Sequence, residues 1–127
     1  MKFQVQGIEV ELLPGAALFL SGTSQLVVAD VHLGKAAGLQ AHGINVPEGD
    51  NQKDLDRLSA LISHTSAKQL IIAGDFFHTP AGVSSALIEL VNGWTERLFA
   101  DVLLVVGNHD RRALAGKGDL LMQQASI

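Results

Sequence analysis

The 127-residue chain contains no cysteine. That excludes a disulfide framework and any thiolate metal site, and it fits a cytoplasmic protein. No eighteen apolar residues run together, and Met1-Lys2-Phe3-Gln4-Val5-Gln6 has no long apolar core. Neither a membrane span nor a secretory signal is therefore predicted. Positive charge is scarce: nine Lys and Arg against thirteen Asp and Glu give a formal net charge of −4. The chain lacks the overall basic footprint that binds nucleic acid through phosphate contacts alone, although ions held in a site supply such charge locally. Repeats and low-complexity linkers are also missing. With 47% apolar and 17% charged residues, the composition is that of a folded globular protein. The length predicts a single domain over 1–127.

Against these absences stand three strongly apolar runs, each ending in acidic, amide or imidazole residues. Leu26-Val27-Val28-Ala29 leads into Asp30-Val31-His32. Leu70-Ile71-Ile72-Ala73 leads into Gly74-Asp75. Val102-Leu103-Leu104-Val105-Val106 leads into Gly107-Asn108-His109-Asp110. Such continuous Val/Ile/Leu runs read as strands buried on both faces of a parallel sheet. The predicted strands cover about 25–30, 68–74 and 101–106. Before them, residues 2–20 read as short strands separated by turns at Gly7 and Pro14-Gly15.

Residues 33–49 carry four glycines and Pro47 and read as a long functional loop. Asp50 or Asn51 caps a helix through about Ser63, with Leu55, Leu58, Leu61 and Ile62 as its buried stripe. Pro80 or Ser84 opens a second helix in which Val83, Leu87, Leu90, Val91, Trp94 and Leu98 share a face. A short polar loop follows the third strand, and the tail Leu120–Ala125 has no assigned element. The alternation strand–helix–strand–helix–strand predicts βαβ units and a parallel sheet. Ligands of open parallel sheets bind outside the carboxyl ends of the strands, so the three polar clusters should converge on one edge.

The residue types at that edge suit divalent metal ions. Asp30 and His32 sit two apart, and in an extended segment they point to the same side and can grip one ion. Asp75 follows Gly74, which lets the backbone turn and approach closely, and its carboxylate can bridge two ions ~3.5–4 Å apart. Asn108 offers a neutral amide oxygen beside anionic ligands. His109 should point elsewhere than Asn108 in an extended segment, and Asp110 can accept a hydrogen bond from its imidazole and fix the tautomer.

Read together, Asp30-Val31-His32, Gly74-Asp75 and Gly107-Asn108-His109-Asp110 resemble the D-x-H, G-D and G-N-H-D/E blocks of the calcineurin-like metallophosphoesterase superfamily. The stretches Asp30–Lys35, Gly43-Ile44-Asn45-Val46-Pro47-Glu48-Gly49 and Gly74-Asp75-Phe76-Phe77-His78 look like its ligase-associated DNA-damage-response endonuclease branch, PdeM, with the match reaching about Arg112. The resemblance implies an α/β fold, the N-terminal portion of a four-layer αββα sandwich, mainly parallel βαβαβ with N-terminal short strands. It also implies a phosphodiesterase or endonuclease in DNA repair, with a phosphodiester substrate such as DNA and with a DNA ligase and a helicase as partners. Asp30, His32 and Asp75 would hold one divalent ion, and Asp75 with Asn108 a second. His109 would act on the leaving oxygen, with Asp110 orienting it. Manganese is the expected metal, with iron or zinc as alternatives.

The superfamily pattern continues with a lone His and a G-H-x-H block. Here the five histidines are His32, His42, His64, His78 and His109, so the second metal site is expected to be incomplete and the chain to be C-terminally truncated. A non-catalytic remnant or interaction module, and a phosphomonoesterase of small molecules or phosphoproteins, are the competing functions. Lys35 is placed either on substrate phosphate or in solvent, and His78 either beside the metal ligands or as a helix cap. Arg111, Arg112, His42 and His64 are expected to be solvated, and Trp94 to belong to the core.

Overall fold

In the computed structural model, residues 1–34, 43, 50–77, 80–114 and 120–126 are described, except for the side chains of Asp50, Pro80 and His109. The loop expected over 33–49 therefore lies almost wholly outside the described residues, as do Lys35, His42 and His78. Seven strands form one sheet in sequence order: β1 Lys2–Val5, β2 Ile8–Leu13, β3 Ala17–Leu20, β4 Gln25–Val28, β5 Gln69–Ala73, β6 Asp101–Val106 and β7 Gln123–Ser126. Strands β1 to β4 pair antiparallel as a meander, and β4 to β7 pair parallel. Helix α1, Asp50–Thr65, connects β4 to β5, and α2, Ser85–Arg97, connects β5 to β6. The expected mixed α/β architecture and its βαβαβ centre are present.

Register explains why the helices pack where they do. Leu26, Leu70 and Val102 are neighbours across the sheet, as are Val28, Ile72 and Leu104. All six are at most 5% exposed and join Leu55, Leu58 and Ile62 of α1 and Leu87, Ile88, Val91 and Trp94 of α2 in one core. Each helix contributes an apolar stripe at the 3.6-residue period, and burial of each large side chain is worth about 1.5–3 kcal/mol. The indole N–H of Trp94 donates to Ser59 Oγ at 2.8 Å, tying α2 to α1. Ser84 caps α2 by accepting from the Leu87 N–H at 3.1 Å.

Three expectations are corrected. The central strands are not buried on both faces: Val27, Ile71 and Leu103 are half-buried, while their neighbours in sequence are buried. That second face continues through Leu18, Leu12 and Phe3, with Phe3 38%, Val5 49%, Ile8 54% and Leu12 41% exposed. The segment after β6 is not a polar loop but a helix, α3, Asn108–Leu114. The tail forms β7 beside β6, an all-exposed strand held by parallel pairing from Leu103↔Gln123 to Val106↔Ser126.

Candidate metal centre

Because β4, β5 and β6 run parallel, their carboxyl ends lie at one sheet edge, and each hands the chain to one of the polar clusters. The turn after β4 is not extended. Asp30 has φ 56°, His32 φ 57° and Asp75 φ 51°, all in the left-handed region, as are Gly34 at 80° and Gly74 at 79°. Asp and His tolerate this region better than β-branched residues, yet such conformations persist only where surrounding structure enforces them. The expected pairing of Asp30 with His32 is therefore reached by two left-handed turns, not by i, i+2 alternation along a strand.

The enforcing contacts are visible. The His32 N–H donates to the Asp75 carbonyl at 2.9 Å, the Leu33 N–H to the Phe76 carbonyl at 2.7 Å, and the Gly34 N–H to Asn51 Oδ1 at 2.9 Å. Leu33 also bridges Phe77 in parallel fashion. Gly34 lies against Gly82, which belongs to the single helical turn Pro80–Gly82. A Cβ on Gly34 would sit 2.4 Å from the Gly82 carbonyl oxygen, and one on Gly82 2.1 Å from that of Gly34. Gly74 is different. A Cβ there would find nothing nearer than 3.9 Å, so its positive φ, not close approach, is what glycine supplies.

One donor atom each from Asp30, His32 and Asp75 lie within 4.8 Å of one another, with Asp30 exposed and the other two half-buried. His32 Nε2 is 3.9 Å from Asp30 Oδ1. Ligands about 2.0–2.2 Å from a shared ion stand up to ~4.4 Å apart, so sub-ångström closure brings these three into one coordination sphere. Two carboxylates and an imidazole form an N/O donor set suited to divalent manganese, iron or zinc. The residues present fit such an ion.

Asn108 is the exposed first residue of α3. The preceding Gly107 packs on the Asp75 turn, its Cβ direction lying 3.6 Å from the Asp75 amide nitrogen. Asn108 thus stands at the same edge in a helical, not extended, conformation. His109 follows in the helix, and its side chain lies outside the described residues. Asp110 is fully buried. Its Oδ1 accepts the Phe77 N–H at 2.9 Å and its Oδ2 the Gly107 N–H at 3.1 Å. With Gly107 as the N-cap of α3, Asp110 supplies the reciprocal half of a capping box while stapling the β5 and β6 exits together. Neither Asn51 nor Gly82 was marked by local sequence as part of this edge, since their contacts reach across the fold.

A separate cleft of about 550 Å³ opens between α1 and α2, lined by Asp56, Ser59, Trp94, Arg97 and Phe99 among others. None of its lining residues comes from the strand ends. Arg111, Arg112 and His64 are exposed and Trp94 is buried, as expected. No helix of the described residues is long and apolar enough to cross a membrane.

A family model for calcineurin-like phosphoesterases matches residues 24–125, which contain all three strand ends. The crystal structure of the Pseudomonas putida nuclease MPE is similar at 32% identity with a TM-score of 0.78. That match takes in 99% of this chain and 59% of the other, so this chain spans about three fifths of the nuclease's length. No curated protein matches the chain.

Proposed function

Because the chain belongs to the calcineurin-like phosphoesterase family, we propose that it provides the metal-binding edge of a phosphodiester hydrolase of endonuclease type. The observation that carries this reading is the convergence of Asp30, His32 and Asp75 donor atoms at the carboxyl edge of the sheet. A nuclease 32% identical over nearly the whole chain supports a phosphodiester, DNA in the first instance, as substrate. A role in DNA repair in the cytoplasm, beside a DNA ligase and a helicase, extends the reading along the branch its motifs resemble.

Asp30, His32 and Asp75 would hold one divalent ion, manganese first and iron or zinc as alternatives, and Asp75 and Asn108 would contribute to a second. Bound ions of this kind polarise phosphoryl oxygens and lower the pKa of coordinated water. His109 protonates the leaving oxygen or stabilises the charge developing there, and Asp110, whose two oxygens accept from the Phe77 and Gly107 N–H groups, orients it by fixing the turn that carries it. Lys35, as a contact to substrate phosphate, and His78, as a residue beside the metal ligands, remain candidates outside the described residues.

The test is manganese-stimulated hydrolysis of bis(p-nitrophenyl) phosphate by the folded chain, abolished in Asp75→Ala and His109→Ala. Faster turnover of p-nitrophenyl phosphate than of the diester would redirect the assignment to a phosphomonoesterase. Inactivity of a folded, metal-loaded chain would make it a non-catalytic module.

A further inference from the structure

Three consecutive N–H groups, those of His32, Leu33 and Gly34, donate to three acceptors in a row. The first two acceptors are main-chain carbonyls of Asp75 and Phe76. The third is a side chain, Asn51 Oδ1, seventeen residues away in the first turn of α1. No point substitution removes a main-chain carbonyl, so Asn51 is where the ladder depends on a side chain.

Asn51 is also rigidly carried. It stands four and seven residues before Leu55 and Leu58, on the same helical face, and both leucines are fully buried against the sheet. On its other side Gly34 abuts the Gly82 backbone so closely that neither residue has room for a Cβ. The turn that ends at Gly34 is thus gripped between α1 and the Pro80–Gly82 turn, two residues beyond His32.

We propose that Asn51 is a positioning residue for the metal centre. By fixing the Gly34 amide it holds the left-handed turn that places the His32 imidazole beside Asp30 and Asp75, so that metal affinity depends on a helix that supplies no ligand. This rests on the reading of Asp30, His32 and Asp75 as ligands. Groups that orient ligands from behind typically contribute 10–100-fold in affinity, and that sets the expected size.

The experiment is titration of the full chain with Mn2+ by calorimetry and with Co2+ by visible absorption, alongside thermal melts. Asn51→Ala should weaken Mn2+ binding about 10-fold or more and alter the Co2+ spectrum at saturation. Asn51→Asp keeps an acceptor oxygen in place and should retain both. A role confined to docking α1 would lower the melt and leave the spectrum unchanged, which would overturn the proposal. Should Asn51→Ala fail to fold, Asn51→Gln replaces it: its oxygen is displaced by one methylene, and affinity equal to that of Asn51→Asp would equally overturn the proposal. A wild-type chain that binds neither ion would bring down the metal-centre reading itself, and this proposal with it.

Discussion

Asp110 is the most informative residue to perturb, because its carboxylate is fully buried and both oxygens are engaged by main-chain donors. It forms no ion pair among the described residues. The charge is balanced by the two amides and by its place in the first turn of α3, where the helix dipole favours an anion. Asp110→Asn keeps one acceptor oxygen and turns an amide NH2 toward the other donor. The two donors are not equivalent: the Phe77 bond is buried and the Gly107 bond is partly exposed. The remaining oxygen should therefore keep Phe77, leaving the Gly107 N–H to water. Hydrogen bonds to charged groups contribute about 1.5–3 kcal/mol each, and relief of the buried charge offsets part of the loss. The expected cost is about 2 kcal/mol for Asp110→Asn and about 4 kcal/mol for Asp110→Ala, which strands both donors. Urea unfolding at constant m-value measures both. Amide hydrogen exchange adds a residue-level check, with Gly107 accelerating more than Phe77 in Asp110→Asn. A cost below ~1 kcal/mol for Asp110→Ala would refute the staple, because stranding a buried N–H alone costs about that much.

The glycines separate backbone strain from steric contact. Gly7 has φ +81° with nothing near its Cβ position, whereas Gly34 has φ +80° with the Gly82 carbonyl oxygen 2.4 Å away. Gly7→Ala should cost about 1–2 kcal/mol, the left-handed penalty alone, and Gly34→Ala clearly more, with loss of Mn2+ binding; equal melting losses would remove the claimed Gly34–Gly82 contact. The half-exposed face of the sheet, with Ile8 54% and Leu12 41% exposed, should bind 1-anilinonaphthalene-8-sulfonate and promote concentration-dependent association. Ile8→Glu together with Leu12→Glu should suppress both, as read by fluorescence and light scattering, and a wild-type chain that is monodisperse and dye-negative would contradict this.

The central strands and both long helices were legible because each is a run of apolar residues at one period. β6 falls on the 101–106 predicted, and α1 and α2 begin at Asp50 and just after Ser84. The burial of only one sheet face was not legible, since Val27, Ile71 and Leu103 are as apolar as their buried neighbours. Composition does not say which face a helix covers. β7 was hidden for the opposite reason: Gln123, Gln124, Ala125 and Ser126 show no apolar alternation, and their strand exists through main-chain pairing with β6. α3 was hidden because its N-cap is Gly107, which has no side-chain oxygen, so half of the usual capping signature is absent.

At the candidate site, the convergence of Asp30, His32 and Asp75 was readable, while the means of convergence was not. Alternation along a strand would have made Asp30 and His32 neighbours at no conformational cost. Instead both residues and Asp75 occupy left-handed backbone, each at a cost of order 1–3 kcal/mol. That strain is borne by contacts remote in sequence: Asn51 and Gly82 on Gly34, the Asp75 and Phe76 carbonyls on His32 and Leu33, and Asp110 on Phe77. A sequence motif records which atoms coordinate, because those residue types are chemically irreplaceable. It does not record the acceptors that hold strained turns in place, because a side-chain amide on a helix and a main-chain carbonyl perform that task equally well. The three motif blocks therefore depend on one another's main chain and on Asn51 and Gly82 outside them, and substitutions at those two positions should weaken metal binding without removing a ligand.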